Sequence, residues 1–112
     1  MEDSAAQNLH FGRAKQLDEL VASTGRWRID RCSYPEGDFG TLERRNYFSN
    51  RCQITVDFWS SDVISFEAGW VDSGEFVVEQ VLLLSDEVGD LMTSLAPIVE
   101  LISGHRSPGK TS

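Results

Sequence analysis

Apolar and polar side chains alternate along two neighbouring stretches of the chain, residues 52–58 and 64–70. The apolar or thiol positions are Cys52, Ile54, Val56 and Phe58, followed by Ile64, Phe66, Ala68 and Trp70. A period of two predicts strands with one buried face. The three-residue connection at 60–62 predicts a hairpin with both apolar rows on that face. Its cross-strand pairs are Trp59 with Val63, Phe58 with Ile64, and Val56 with Phe66.

A second turn, Asp72-Ser73-Gly74, predicts that a further strand pairs with residues 64–70. Gly74 stands at the position of a three-residue hairpin loop that needs left-handed backbone. The register that follows pairs Trp70 with Phe76, Ala68 with Val78, and Ile64 with Leu82. It leaves Gln80 on the buried row opposite Phe66, whereas a slip of one residue would bury the charged Glu79.

Residues 26–33 and 42–49 predict two more strands upstream. The first segment alternates, with Trp27 and Ile29 on one face, whereas the pattern of the second segment is mixed. Residues 34–40 between them are dense in turn-forming side chains and predict a loop.

Amphipathic helices are predicted on both sides of this strand-forming region. The N-terminal helix has apolar residues near 3.6-residue spacing, an N-cap at Asp3 or Ser4, and a stop at Gly25. The C-terminal helix has its N-cap at Ser85, and its apolar stripe contains Pro97, which is expected to kink or split it.

These elements together predict an α+β fold. We expect an antiparallel meander of four to five strands, flanked by an N-terminal and a C-terminal helix that pack on one sheet face as a two-layer sandwich. The length of 112 residues fits one domain. We place this domain at residues 1–104 and a disordered C-terminal tail at 105–112.

Charge is distributed unevenly along the chain. No Lys or Arg occurs between Cys52 and Gly104, a segment that contains ten acidic residues, and the net charge of the chain is −8. Such a field repels nucleic acid and anionic membranes and attracts basic surfaces. We therefore expect a protein partner with a basic surface, with no direct binding to nucleic acid and none to membrane.

Further features of the composition predict a cytoplasmic protein. The first residues are acidic and contain no apolar h-region, so we expect no secretory signal. The longest apolar runs are far too short to span a bilayer. The two cysteines, Cys32 and Cys52, do not form a disulfide framework and are expected to be reduced.

Motifs that carry chemistry are sparse. Residues 104–111 match the Walker A pattern of nucleotide-binding loops, but that motif needs a strand before it and a helix after it, and only Ser112 follows. His10 and His105 have no Cys or His partner at metal-ligand spacing, and no Ser/His/Asp or Cys/His set is suggested. We therefore expect no enzymatic activity, no cofactor and no metal site.

Arginines cluster in the middle of the chain. They are Arg26, Arg28, Arg31, Arg44, Arg45 and Arg51. We expect them to pair with acids of neighbouring strands and to keep a sheet edge soluble. The alternative is that the cluster binds an anion, a phosphate or nucleic acid, with Tyr47 or Phe48 stacked on a base. A small anionic ligand would use a pocket lined by Trp27, Tyr47 or Trp70.

One outer sheet face combines apolar and acidic side chains under the predicted registers, and we expect it to bind the partner. The residues of this predicted site are Trp59, Val63, Leu83, Asp57, Glu67 and Glu79. Glu67 is expected opposite Glu79, where like charges repel each other. An aromatic anchor among charged residues is typical of protein interfaces. The alternative is that a helix or a second copy of the chain covers the Trp59 end.

The leading functional hypothesis is a small acidic, non-catalytic protein-binding domain. It would inhibit or adapt a partner with a basic surface, as an immunity-type protein does, and homodimerisation through the Trp59 face is compatible with it. A narrower alternative is a mimic of nucleic-acid charge that blocks a DNA- or RNA-binding protein. A third hypothesis, from another class, is a small-ligand domain or enzyme that uses the cluster from Arg26 to Arg51.

Overall fold

The computed structural model describes residues 9–35 and 40–104, and it confirms an α+β fold with a five-stranded antiparallel sheet. The predicted N-cap at Asp3 or Ser4, part of the loop at 34–40 and the predicted tail at 105–112, with most of the Walker-like match, lie outside the described residues. The elements are helix α1 (Leu9–Thr24), strands β1 (Arg28–Tyr34), β2 (Leu42–Phe48), β3 (Cys52–Trp59), β4 (Ile64–Trp70) and β5 (Phe76–Leu83), a 3₁₀ turn (Ser85–Glu87), and helices α2 (Leu91–Ser94) and α3 (Ala96–Ser103).

Each strand pairs with its neighbours in chain order, so the sheet is a meander with β1 and β5 at its edges. The predicted pairs of the first hairpin are confirmed, namely Phe58 with Ile64 and Val56 with Phe66. The Trp59 backbone N–H donates to the Val63 carbonyl at 2.9 Å. Asp62 closes this turn with a φ of 71°, a left-handed conformation that Asp tolerates better than most residues.

Strand β5 departs from the predicted register because its pairing with β4 is irregular. Of the predicted pairs, Ala68 with Val78 is confirmed, whereas Trp70 with Phe76 and Ile64 with Leu82 are wrong. The observed pairs are Gly69 with Phe76, Ala68 with Val78, Phe66 with Val81, and Ile64 with Leu83. Two residues of β5, Glu79 and Gln80, thus oppose the single residue Glu67 in a β-bulge. The extra residue leaves both polar side chains exposed, so neither is buried among apolar neighbours.

The C-terminal helical region consists of short elements rather than one kinked helix. The predicted N-cap at Ser85 is wrong, because Ser85 is the first residue of the 3₁₀ turn. The N-cap of α2 is Asp90, whose carboxylate accepts a hydrogen bond from the Thr93 backbone N–H at 3.1 Å. The predicted split at Pro97 is confirmed, because Pro97 stands in the first turn of α3, where its missing N–H costs no helical hydrogen bond. Gly104, with a φ of 80°, ends α3.

Helices α1 and α3 cover the sheet face that carries the apolar rows, which we call the inner face. Helix α1 contacts β2, β3 and α3, and α3 contacts β4. The main core lies between these two layers. Its larger fully buried side chains are Leu17, Val21, Tyr47, Ile54, Val56, Phe58, Ile64, Leu95, Ile98 and Ile102. The opposite side of the sheet, the outer face, carries neither α1 nor α3.

Buried ion pairs and hydrogen bonds connect α1 to β2 on the inner face of the sheet. Asp18 of α1 accepts hydrogen bonds from the Arg45 guanidinium (Nε to Oδ2, 2.9 Å) and from the Tyr47 hydroxyl (2.8 Å). Arg31 of β1 adds a third donor, with its Nε 3.2 Å from Oδ2. Asp18 is 7% exposed, Arg45 is 5% exposed and Tyr47 is fully buried, so the two charges need partners inside the protein.

The same network continues along β2. Arg45 also binds Glu43, and Glu43 accepts a hydrogen bond from the Ser33 hydroxyl. Burial lowers the pKa of Arg45, but the hydrogen bonds to Glu43 and Asp18 outweigh it, so the pKa of Arg45 is raised overall. Glu43, Arg45 and Tyr47 occupy alternate positions on the inner face, which explains the mixed sequence pattern of β2. We call Asp18, Glu43, Arg45 and Tyr47 the Asp18 network.

Asp18→Asn is expected to lower the free energy of unfolding by about 3 kcal/mol, because it deprives the buried Arg45 of a carboxylate partner. Urea unfolding followed by circular dichroism measures the change. The control is Asp30→Asn, since Asp30 is exposed and its carboxylate lies 3.8 Å from Arg28. We expect that control to change stability by at most about 0.5 kcal/mol. Equal decreases in the free energy of unfolding of Asp18→Asn and Asp30→Asn would contradict a structural role for the network.

The substitution Tyr47→Phe tests the same network through the pH dependence of the free energy of unfolding. Burial, and then the Asp18 carboxylate, raises the pKa of Tyr47 far above its ordinary value of 10.0. The folded protein therefore keeps the hydroxyl protonated where the unfolded chain ionises it. This contribution to stability is fully present below a pH of about 10 and is lost by about 1.4 kcal/mol per pH unit above it.

The stability difference between the wild-type chain and Tyr47→Phe should therefore shrink as the pH rises from about 9 to about 11. Urea unfolding at the two pH values provides the comparison. A constant difference would show that Tyr47 ionises in the folded protein as readily as in the unfolded chain.

Candidate functional site

The apolar end of the predicted site is a closed cluster. Trp59 and Val63 lie together on the outer face, and Leu42 of β2 joins them. Their exposed fractions are 9%, 5% and 8%, respectively. Because β2 places Leu42 directly opposite Trp59, little of the indole is accessible to a partner.

Asp57 is neutralised by the neighbouring strand. The Arg44 guanidinium donates two hydrogen bonds to the Asp57 carboxylate, from Nε to Oδ1 at 2.7 Å and from Nη2 to Oδ2 at 3.0 Å. The hydrogen bond to Asp57 raises the pKa of Arg44 despite the opposing effect of burial. The pair thus adds no net charge to the outer face, as expected for arginines that pair with acids of neighbouring strands.

Leu83 lies on the inner face, so its predicted position beside Trp59 is wrong. The bulge in β5 sets Leu83 opposite Ile64, where it packs against the main core. Leu82 takes its place on the outer face, opposite Ser65, and is 47% exposed. The reason is that one extra residue in a strand exchanges the two faces for every residue beyond it.

The two remaining acids of the predicted site do lie next to each other. Glu67 is at the centre of β4, and Glu79 is in the bulge opposite it. Glu79 is exposed and Glu67 is partly exposed. Strands β3, β4 and β5 contain no Lys or Arg that could neutralise them from within this part of the sheet.

A shallow pocket that the sequence pattern does not predict lies beside these acids. Its volume is about 340 Å³, and its lining includes Glu67, Gly69, Val71 and Phe76. Gly69 leaves a depression in the face because it has no side chain. Val71 and Phe76 at its border are 55% and 59% exposed. The signal in the sequence was Gly69 itself, since glycine inside a strand often marks the close approach of another group.

We call this surface the acidic face. Its residues are Glu67, Gly69, Val71, Phe76, Glu79 and Leu82. It presents the carboxylates of Glu67 and Glu79 beside exposed apolar side chains, on a sheet face without α1 or α3. Such a surface can bury an apolar side chain of a partner and pair with Lys or Arg around it.

Comparisons with family models, with curated proteins and with solved structures found no match for this chain. Within residues 9–35 and 40–104, no group of three or more His, Cys, Asp or Glu side chains is arranged to hold a metal ion. None of the helices described here is both long and apolar enough to cross a membrane. Function is therefore inferred from the geometry and charge of the molecule itself.

Leu83→Ala and Leu82→Ala distinguish the observed register of β5 from the regular one. Leu83→Ala should lower the free energy of unfolding by about 2 kcal/mol, because it removes a side chain that packs against the core. Leu82→Ala, at an exposed position, should change it by less than about 0.5 kcal/mol. Urea unfolding of both variants measures the two decreases in the free energy of unfolding. A larger decrease for Leu82→Ala than for Leu83→Ala would contradict the bulge.

Proposed function

We propose that this chain is a small acidic, non-catalytic protein-binding domain that inhibits or adapts a partner with a basic surface, and that it binds through the acidic face. One observation carries the proposal: exposed Phe76 and Leu82 lie on the same sheet face as Glu67, beside Glu79 in the bulge. The proposed anchor is therefore Phe76 rather than the buried Trp59.

The apolar part of the acidic face supplies affinity. Phe76 is 59% exposed and borders the pocket above Gly69. Burial of a phenyl side chain contributes about 1.5–3 kcal/mol. Protein interfaces commonly concentrate their binding energy in such an aromatic anchor, surrounded by polar groups that exclude water.

The charge of the acidic face selects the partner. Glu67 and Glu79 are like charges on adjacent strands, and this arrangement is unfavourable in the free domain. A Lys or Arg of the partner would remove that repulsion. The net charge of −8 also speeds the encounter with a basic surface and slows the encounter with nucleic acid or anionic lipid.

A cytoplasmic location belongs to the same proposal. Cys32 and Cys52 are both free thiols, and Cys52 is buried. Free thiols are typical of proteins in reducing compartments. The fold relies on packing and ion pairs instead of a disulfide.

Parallel affinity captures with three immobilised chains test the binding surface. The chains are the wild type, Glu67→Gln/Glu79→Gln, and the control Glu19→Gln/Asp30→Asn, which removes the same charge from α1 and β1. We expect one protein of the source lysate to be retained by the wild type and by the control but not by Glu67→Gln/Glu79→Gln. With that protein purified, the acidic-face variant should associate about tenfold more slowly at low salt, and the difference should shrink at high salt.

Equal retention by all three chains, or an unchanged association rate, would overturn the proposal. Competition between the domain and duplex DNA for the captured protein would narrow the function to mimicry of nucleic-acid charge, whereas simultaneous binding would exclude mimicry. A solution dimer that Phe76→Asp dissociates would identify the acidic face as an interface between two copies of the chain, and would overturn its assignment to a different partner.

A further inference from the structure

Five arginines of the described chain pair with carboxylates, and two do not. The pairs are Arg13 with Asp62, Arg28 with Asp30, Arg31 with Asp18, Arg44 with Asp57, and Arg45 with Asp18. Arg26 and Arg51 have no such partner among the residues that the structure describes, and both line one cleft. In a chain with a net charge of −8, two uncompensated guanidinium groups at one place are unexpected.

The cleft lies between the start of β1, the turn from β2 to β3, and the C-terminal end of α3. Its volume is about 610 Å³, within the range of small-molecule sites. Arg26, Arg51, Trp27 and Trp70 line it, and its described lining contains no Asp or Glu. It thus offers two positive charges and two indole rings with no competing carboxylate.

Arg51 is held in position before any ligand arrives. Its guanidinium carbon lies over the Trp70 ring, 5.8 Å from the ring centroid, and a cation–π contact favours this placement. The Arg51 backbone is also fixed, because its carbonyl accepts a hydrogen bond from the Val71 N–H at 2.8 Å. A positioned cation loses less entropy when it binds an anion than a free side chain does.

Arg26 has a structural role that uses only part of its donor capacity. Its Nη2 donates to the Ile102 carbonyl at 3.3 Å, at the C-terminal end of α3, where a positive charge is favourable. Gly104 leaves room for this contact, since a Cβ there would lie 3.2 Å from Nη2. The other N–H groups of the exposed guanidinium remain for a ligand.

Cys52 contributes a neutral group to the lining. Burial raises the pKa of its thiol, so the sulfur stays protonated at neutral pH and does not repel an anion. The charge of the cleft therefore comes from the two arginines.

We infer that this cleft binds a small organic anion that carries a flat ring. Its charged group pairs with Arg51 and Arg26, and its ring packs against Trp27 and Trp70. A polyanion such as nucleic acid is disfavoured, because the acidic remainder of the protein repels an extended negative charge. This binding is independent of the acidic face and does not rest on the proposed protein partner.

Nuclear magnetic resonance titration of the full chain tests the cleft with naphthalene-2-sulfonate and adenosine 5′-monophosphate as probes. The uncharged controls are 2-naphthol and adenosine. The three indole N–H signals report separately, and Trp59 in its closed cluster serves as an internal control. We expect Trp27 and Trp70, but not Trp59, to shift with at least one charged probe, whose uncharged counterpart should bind about tenfold more weakly or worse.

Arg51→Gln should raise the Kd of that probe by about tenfold, because it removes one charge-assisted contact. Arg28→Gln is the matched control, since Arg28 is exposed on β1 outside the cleft. Thermal unfolding confirms that both variants are folded. Absent shifts with both charged probes at millimolar concentration, equal affinity for charged and uncharged probes, or equal weakening by the two substitutions would each overturn the inference.

Discussion

The ion pair between Asp18 of α1 and Arg45 of β2 sets the position of the helical layer on the sheet. Both side chains are almost fully buried, so either charge without its partner would destabilise the fold strongly. The carboxylate of Asp18 must also reach Tyr47 and Arg31. Apolar contacts have no preferred direction and would tolerate small shifts of α1. The Asp18 network selects one placement, because only that placement satisfies all of its donors and acceptors.

The pairing of arginines with carboxylates also divides the surface into regions of different charge. Strands β1 and β2 hold arginines that neutralise Asp18, Glu43 and Asp57. Strands β4 and β5 hold acids for which β3 to β5 provide no cation. Arg26 and Arg51 remain beside the cleft. One small domain thereby presents an acidic sheet face and a separate cationic cleft, and the two proposed binding activities follow from this separation.

The β3–β4 hairpin could be predicted because its alternation and its loop length allow only one parity. The register of β5 could not, since every regular pairing would bury Gln80 or Glu79, and periodicity does not describe a bulge. In the candidate site, Leu83 lies on the inner face because of this bulge. The pairing of Leu42 with Trp59 could not be predicted, because the sequence pattern of β2 is mixed. Periodicity could not predict the Asp18 network either, because the donors to Asp18 lie 13, 27 and 29 residues away, on strands β1 and β2.

The irregular pairing of β5 also affects the tendency of the chain to associate with other copies through the edge of its sheet. β5 is an edge strand, and its sequence is rich in Val and Leu, which is the type of segment that adds strand to strand between molecules and grows into fibrils. The bulge interrupts the row of N–H and C=O groups that such growth requires. A second register shift, between Ala68 and Gly69, leaves Val77 without a partner in β4, so the ladder of β5 is irregular at two points. These two irregularities protect the edge of the sheet, because they shorten the regular stretch of β5 with which a strand of another molecule could pair.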